Sequence, residues 1–204
     1  MIFTCSNVAL AQDVDNKEPM YGGNYTPEVK LDPKFSKHAS ELGWKYFYNG
    51  DSVTAMKRFN QAWMSDNSNA SAYWGFGVLM GLRAKQENEE KNLEQSIKFL
   101  NKANELDPKN AGIKTDLAYS YTCLYAFFKN AHKITKSDVY QKSASLFEEA
   151  KLISPEYPLL YANWSVLEFE KGNFVRAREL LDEAKAKGFV SKDGYEDRLN
   201  KAIQ

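Results

Sequence analysis

Soft metal ligands are scarce in this sequence. It holds two Cys and two His among 204 residues, and Cys5, His38, Cys123 and His132 never stand at the spacings of a structural zinc site. One Cys pair cannot build a disulfide framework either. Excess charge is also absent. Lys+Arg and Asp+Glu each number 27, a formal net charge of +0, whereas a dedicated nucleic-acid binder carries a basic excess on one face. No apolar run reaches the roughly 18 residues of a membrane helix.

Catalytic groupings are missing as well. Cys123 sits in the apolar helical stretch Tyr119 to Phe128 with no His nearby, the setting of a buried, inert thiol. Glu168 and Glu170 fall on different sides of a helix, and general acid–base work needs both acids on one substrate. His38 and His132 read as surface or helix-end residues. The chain therefore reads as non-enzymatic and without a cofactor. What it has is apolar mass: 43% hydrophobic residues and 14% aromatics, enough for a substantial globular core.

The first residues stand apart. Residues 1–11 carry no charge and end in Ala9-Leu10-Ala11, after which Gln12-Asp13-Val14-Asp15 turns polar. A small-residue A-x-A site before a polar switch is the pattern signal peptidase reads. We take 1–11 as the remnant of a signal peptide that starts upstream of Met1, and expect export to the periplasm or bacterial cell envelope. The rival reading is a lipoprotein, since Ile2-Phe3-Thr4-Cys5 faintly matches a lipobox and would lipidate Cys5. Residues 12–31, with Pro19, Pro27, Gly22 and Gly23 among polar residues, form an extended linker or arm. Within it, Met20-Tyr21-Gly22-Gly23 reads as a turn.

A repeat runs through the remainder. Ala55, Phe59 and Ala62 recur as Ser96, Leu100 and Ala103, as Ser143, Phe147 and Ala150, and as Ala177, Leu181 and Ala184. Each copy follows a second helical pattern of a large residue, then a small one: Leu42-Gly43, Phe76-Gly77, Leu117-Ala118 and Trp164-Ser165. The small residues let paired helices approach closely. The large ones fill the space between units, at roughly 2 kcal/mol or more for each buried side chain.

This spacing resembles the tetratricopeptide repeat (TPR), a helix-turn-helix unit. Units fall at 36–69, 70–110, 111–157 and 158–191, with a capping helix at 192–204 bearing Tyr195, Leu199 and Ile203 on one face. The second and third units carry 7 and 13 extra residues between their helices. The family's early Trp is replaced by Ala39, Tyr73, Lys114 and Tyr161, and its closing Pro by Asn67 and Phe189 in the first and last units. The resemblance implies an all-α, right-handed superhelical solenoid over 32–204. Helix signals agree: Asp32-Pro33 starts the first helix, while Gly50-Asp51 and Gly172-Asn173 mark turns inside units. Asn92 and Asp138 are the expected N-caps after the two insertions. Glu87 to Lys91 is a charge run expected in a solvated loop or helix end.

The resemblance also implies a concave groove lined by the first helix of each unit. At the groove positions stand Trp44, Phe47, Tyr48, Trp74, Val78, Tyr119 and Phe169, and Lys37 is the one basic residue, so the family's carboxylate clamp is absent. The competing reading puts Trp44, Phe47 and Trp74 in the core. The function implied is a protein-interaction module that takes an apolar or aromatic peptide segment of another protein, with no nucleic acid involved and membrane contact only through a lipid on Cys5. The arm, with Met20 and Tyr21, is a candidate occupant of the same groove. The alternative role is a scaffold lipoprotein in envelope or pilus assembly. An enzyme or small-molecule binder ranks below both.

Mature protein from its native host should begin at Gln12, or at a lipidated Cys5. N-terminal peptide mass spectrometry checks this, and an intact Met1 on cytosolic protein would overturn it.

Overall fold

The structure, a computed structural model, describes residues 16–23, 31–131, 137–191 and 194–203. The signal remnant, Cys5, His132, Lys192 and Gln204 lie outside the described residues. Those described form helices and connecting turns, with no strand among them. The chain divides into two compact units, residues 1–69 and 70–204.

In the first unit, α1 spans Pro33–Tyr48 and α2 spans Ser52–Ser65. Asp32 caps α1 by accepting the Phe35 N–H at 2.9 Å, with Pro33 preset for the first turn. Gly50, at φ +81°, reverses the chain, and Asp51 caps α2 through the Thr54 N–H. The two helices approach without a Cβ at the crossing. A methyl on Gly43 would lie 2.6 Å from Phe59 Cε1, and Ala55, Phe59 and Ala62 are fully buried. Ser36 Oγ donates to the Ala62 carbonyl at 2.7 Å and accepts from Asn69 Nδ2.

The arm's Pro19–Gly23 forms a short 3-10 turn that packs on α2. Met20 and Tyr21 both take left-handed backbone angles, φ 54°, a conformation that costs an L residue about 1–2 kcal/mol. Tyr21 is buried all the same. The sequence offered this arm as a candidate occupant of the groove. Its described part instead rests on α2, whereas the aromatics assigned to the groove in this unit stand on α1.

The second unit runs α3 Ala70–Ala84, α4 Glu89–Leu106, α5 Ala111–Asn130, α6 Ser137–Ile153, α7 Pro158–Lys171, α8 Phe174–Ala186 and α9 Tyr195–Ile203. The main partners are α3 with α4, α5 with α6 and α7 with α8; α5 also touches α4 and α7, and α9 closes on α8. The crossing repeats the small-residue contact. A Cβ on Gly77 would stand 2.4 Å from Leu100 Cγ. Ser96 Oγ donates to the Gly77 carbonyl, Ser143 Oγ to Ala118, and Ser165 Oγ to Ala177, at 2.8, 2.8 and 2.6 Å. Between pairs, Phe147 stacks on Trp164 with ring centroids 5.8 Å apart. Tyr195 and Leu199 of α9 bury against Ala177 and Leu181, and Tyr195 Oη bonds Ser165 Oγ at 2.7 Å. Ile203, expected on that face, is 46% exposed because the helix ends there.

Much of the two insertions becomes helix. α4, α5 and α6 have 18, 20 and 17 residues, against 14 and 13 for α7 and α8. The added turns bury Leu93, Leu124 and Val139 beside Ala84, ringed by Tyr121, Tyr125, Phe127 and Phe128. Two expected caps are corrected. α4 begins one turn earlier than Asn92, at Asn88 (φ 44°), because Glu89 and Glu90 suit the positive helix end. Asn92 is buried inside it and donates to the Glu87 carbonyl at 2.8 Å. Asp138 is likewise inside the first turn of α6, where its carboxylate meets Lys142.

Gly43→Ala and Gly77→Ala should each destabilise the protein by about 1–3 kcal/mol through overpacking, although Ala in place of Gly normally favours a helix by about 1 kcal/mol. Urea unfolding reads the sign; stabilisation by either change would refute the close crossing.

Candidate functional site

Three of the residues expected in the groove share a face of α1 through their i, i+3, i+4 spacing. Trp44 meets the edge of Phe47 at 5.5 Å and Tyr48 at 6.1 Å between ring centroids. It also packs on Phe59, at 5.1 Å and 71°. Trp44 and Phe47 are half-buried and Tyr48 is 77% exposed. Trp44 thus braces the core with one edge and keeps part of its surface accessible.

Trp74 plays a comparable part in the second unit. It is half-buried on α3, and its indole Nε1–H donates to Asp116 Oδ2 of α5 at 2.7 Å. The ring lies over the start of α5 because Gly112 has no side chain: a Cβ there would sit 2.9 Å from Trp74 Cη2. Asn110 caps α5 by accepting the Gly112 and Ile113 N–H groups. Trp74, Asn110, Gly112, Ile153 and Tyr157 border a wide cleft of about 480 Å³. Val78 stands one turn beyond Trp74 on α3, and Tyr119 lies on α5; both are half-buried. Phe169 is placed differently. Its ring lies 5.5 Å from Phe174 and 5.7 Å from Tyr195, in the junction of α7 with α8 and α9.

Asp116 is the residue that sequence reasoning missed. Burial pushes its carboxyl up to about 6, against the smaller opposing effect of the Trp74 hydrogen bond. Two residues earlier, Lys114 is nearly buried and bonds Glu149 of α6 at 2.7 Å. The sequence signal for Asp116 was a lone acid in the segment Ala111 to Ala118, but its partner is 42 residues away.

The remaining candidate chemistry resolves into separate contacts. Burial raises the Cys123 thiol to about 11, so it stays protonated at neutral pH. Glu168 is buried and accepts from Tyr140 Oη and Asn173 Nδ2, whereas Glu170 pairs with Lys129. Among the described residues, no cluster of His, Cys, Asp or Glu could hold a metal ion.

No family model and no curated protein matches this sequence. Solved structures do match in fold. The crystal structure of MamA, a TPR-like protein, superposes with a TM-score of 0.51 over 83% of each chain, at 18% identity. The fold is TPR-like. In this TPR-like chain the aromatic residues on α1 and α3 stand on the first helix of a pair, and the small residues of the crossing hold that helix against the second.

Because Asp116 titrates near 6 when folded and near 3.9 when unfolded, the native state holds its proton more tightly. Its stabilising contribution is complete below the unfolded value and is lost as pH rises through about 6. Asp116→Asn keeps an acceptor for the Trp74 N–H and removes the charge. The variant should be more stable than the parent at pH 7, by up to about 3 kcal/mol. The difference should shrink toward pH 4 in urea titrations. A pH-independent difference would place the carboxylate in water.

Proposed function

We propose that this protein is a non-enzymatic interaction scaffold that holds an apolar or aromatic peptide segment of a partner protein. The observation that carries the reading is Trp74, half-buried, fixed by Asp116 and bordering an open cleft. A large aromatic held in one orientation loses little entropy on binding and makes a good anchor. Tyr48, Trp44 and Phe47 form a second accessible aromatic face on α1. The TPR-like fold supports the choice of class, since such repeats present extended surfaces to other chains. The site of action we favour is the periplasm or cell envelope, on the strength of Ala9-Leu10-Ala11 and the polar switch after it. The second reading, a lipoprotein that scaffolds envelope or pilus assembly, rests on Cys5.

Affinity capture from the envelope fraction, read by mass spectrometry, tests the proposal. Tyr48→Ala should leave stability within about 0.5 kcal/mol, because the side chain is largely exposed. It should reduce capture of a specific partner, as should Trp74→Phe, which keeps a ring but cannot donate to Asp116. Undiminished capture by the double variant would move the site away from these helices.

A further inference from the structure

The contacts of the arm with α2 read its backbone. Asn60 is fully buried in the middle of α2. Its Nδ2 donates to the Glu18 carbonyl at 2.9 Å, and its Oδ1 accepts the Tyr21 N–H at 3.4 Å. Both ends of the amide are therefore satisfied by main-chain groups that bracket Pro19 and Met20. Pro19 and Tyr21 are buried there too, while Gly22 and Gly23 are exposed. The neighbours of Asn60 along the helix, Met56, Phe59 and Trp63, are buried and apolar.

A buried amide in such surroundings is unfavourable unless both of its ends are paired. Here the pairing comes from the arm, so Asn60 fits a helix on which a peptide is seated. The turn itself is strained, with the non-glycine residues Met20 and Tyr21 both left-handed. Such a conformation persists where its surroundings hold it.

We propose that the face of α2 around Asn60 is a peptide-docking site for a Pro-x-Tyr-Gly turn. The chain's own arm is its resident ligand, and a partner segment of the same chemistry binds by displacing that arm. This site is built on α2 and the arm, with Asn60 rather than an aromatic ring as its anchor. Asn60 supplies affinity through the backbone, and the Pro and Tyr side chains supply selectivity. Tethering keeps the resident arm at a high effective concentration, so a free competitor faces a penalty set by the linker.

The test uses full-length chain carrying Pro19→Ala and Tyr21→Ala, which disarms the resident ligand, and a synthetic peptide of residues 16–23. Nuclear magnetic resonance titration should show saturable binding, with shifts on α2. Unaltered chain should bind the peptide at least about tenfold more weakly, because its own arm competes. A peptide with Tyr21→Ala should lose most affinity. So should disarmed chain with Asn60→Asp, which can accept the N–H but cannot donate to the carbonyl. Circular dichroism confirms that the disarmed chain is folded. Should it fail to fold, excess peptide added to unaltered chain must release the resident Tyr21 ring, seen as its signals moving to free-peptide positions. Absence of saturable binding to folded disarmed chain, binding that ignores Asn60→Asp, or no release in the unaltered chain would each overturn the proposal.

Discussion

Everything in this fold depends on how closely the two helices of a pair can cross. At Gly43 and Gly77 the facing side chain, Phe59 or Leu100, occupies the volume a methyl would need. Where the first helix carries Ala118 or Ser165 instead, a serine hydroxyl bridges the crossing by donating to the opposing backbone carbonyl. The Ser96 bond to Gly77 does the same beside a glycine. A hydroxyl is small enough for the gap, and its bond to a carbonyl avoids an unsatisfied buried donor. These bonds tie one helix to its partner at a defined height, so register and packing are set together.

That constraint decides where the aromatic residues go. A tight crossing drives Phe59, Phe76 and Phe147 fully into the interior. The next large side chains on the first helices, Trp44 and Trp74, have only part of a core left to enter. They rest one edge on it and leave the other accessible. The half-buried state of both tryptophans is thus a consequence of helix proximity, and it supplies rigid rings at the surface. Phe169 shows the converse. Near the end of the chain, α9 covers the face that a further repeat would cover, and Phe169 is absorbed into that closure.

The repeat was legible in the sequence because each helix pair crosses through the same few positions. Small and large residues at fixed spacing carry the architecture by themselves. Legibility stopped where a contact was particular to one place. Asn88 rather than Asn92 holds the N-cap position of α4, without a side-chain cap bond, because Glu89 and Glu90 suit the positive helix end. The helices lengthen into the insertions because Leu93, Leu124 and Val139 find one another from three different helices. The repeat marks Trp74 by its position, but Asp116, which fixes its orientation, is 42 residues further on. Asn60 and Glu18 are separated by the same interval. No period links such pairs, so no pattern search finds them.

The informative residues are therefore polar ones at places where the repeat would accept an apolar side chain. Asn60, Asp116, Lys114 and Glu168 are each held by one or two specific bonds. An apolar side chain of similar volume would serve stability as well or better at such positions. Lys114 and Glu168 join helices of the second unit to one another, and their bonds account for them as structure. Asn60 and Asp116 differ, because one binds a segment outside the helix pairs and the other orients a ring that faces solvent. Sites of action usually break the local rule that builds a fold, and in this chain these two residues break it, one beneath the arm and the other beside the Trp74 ring.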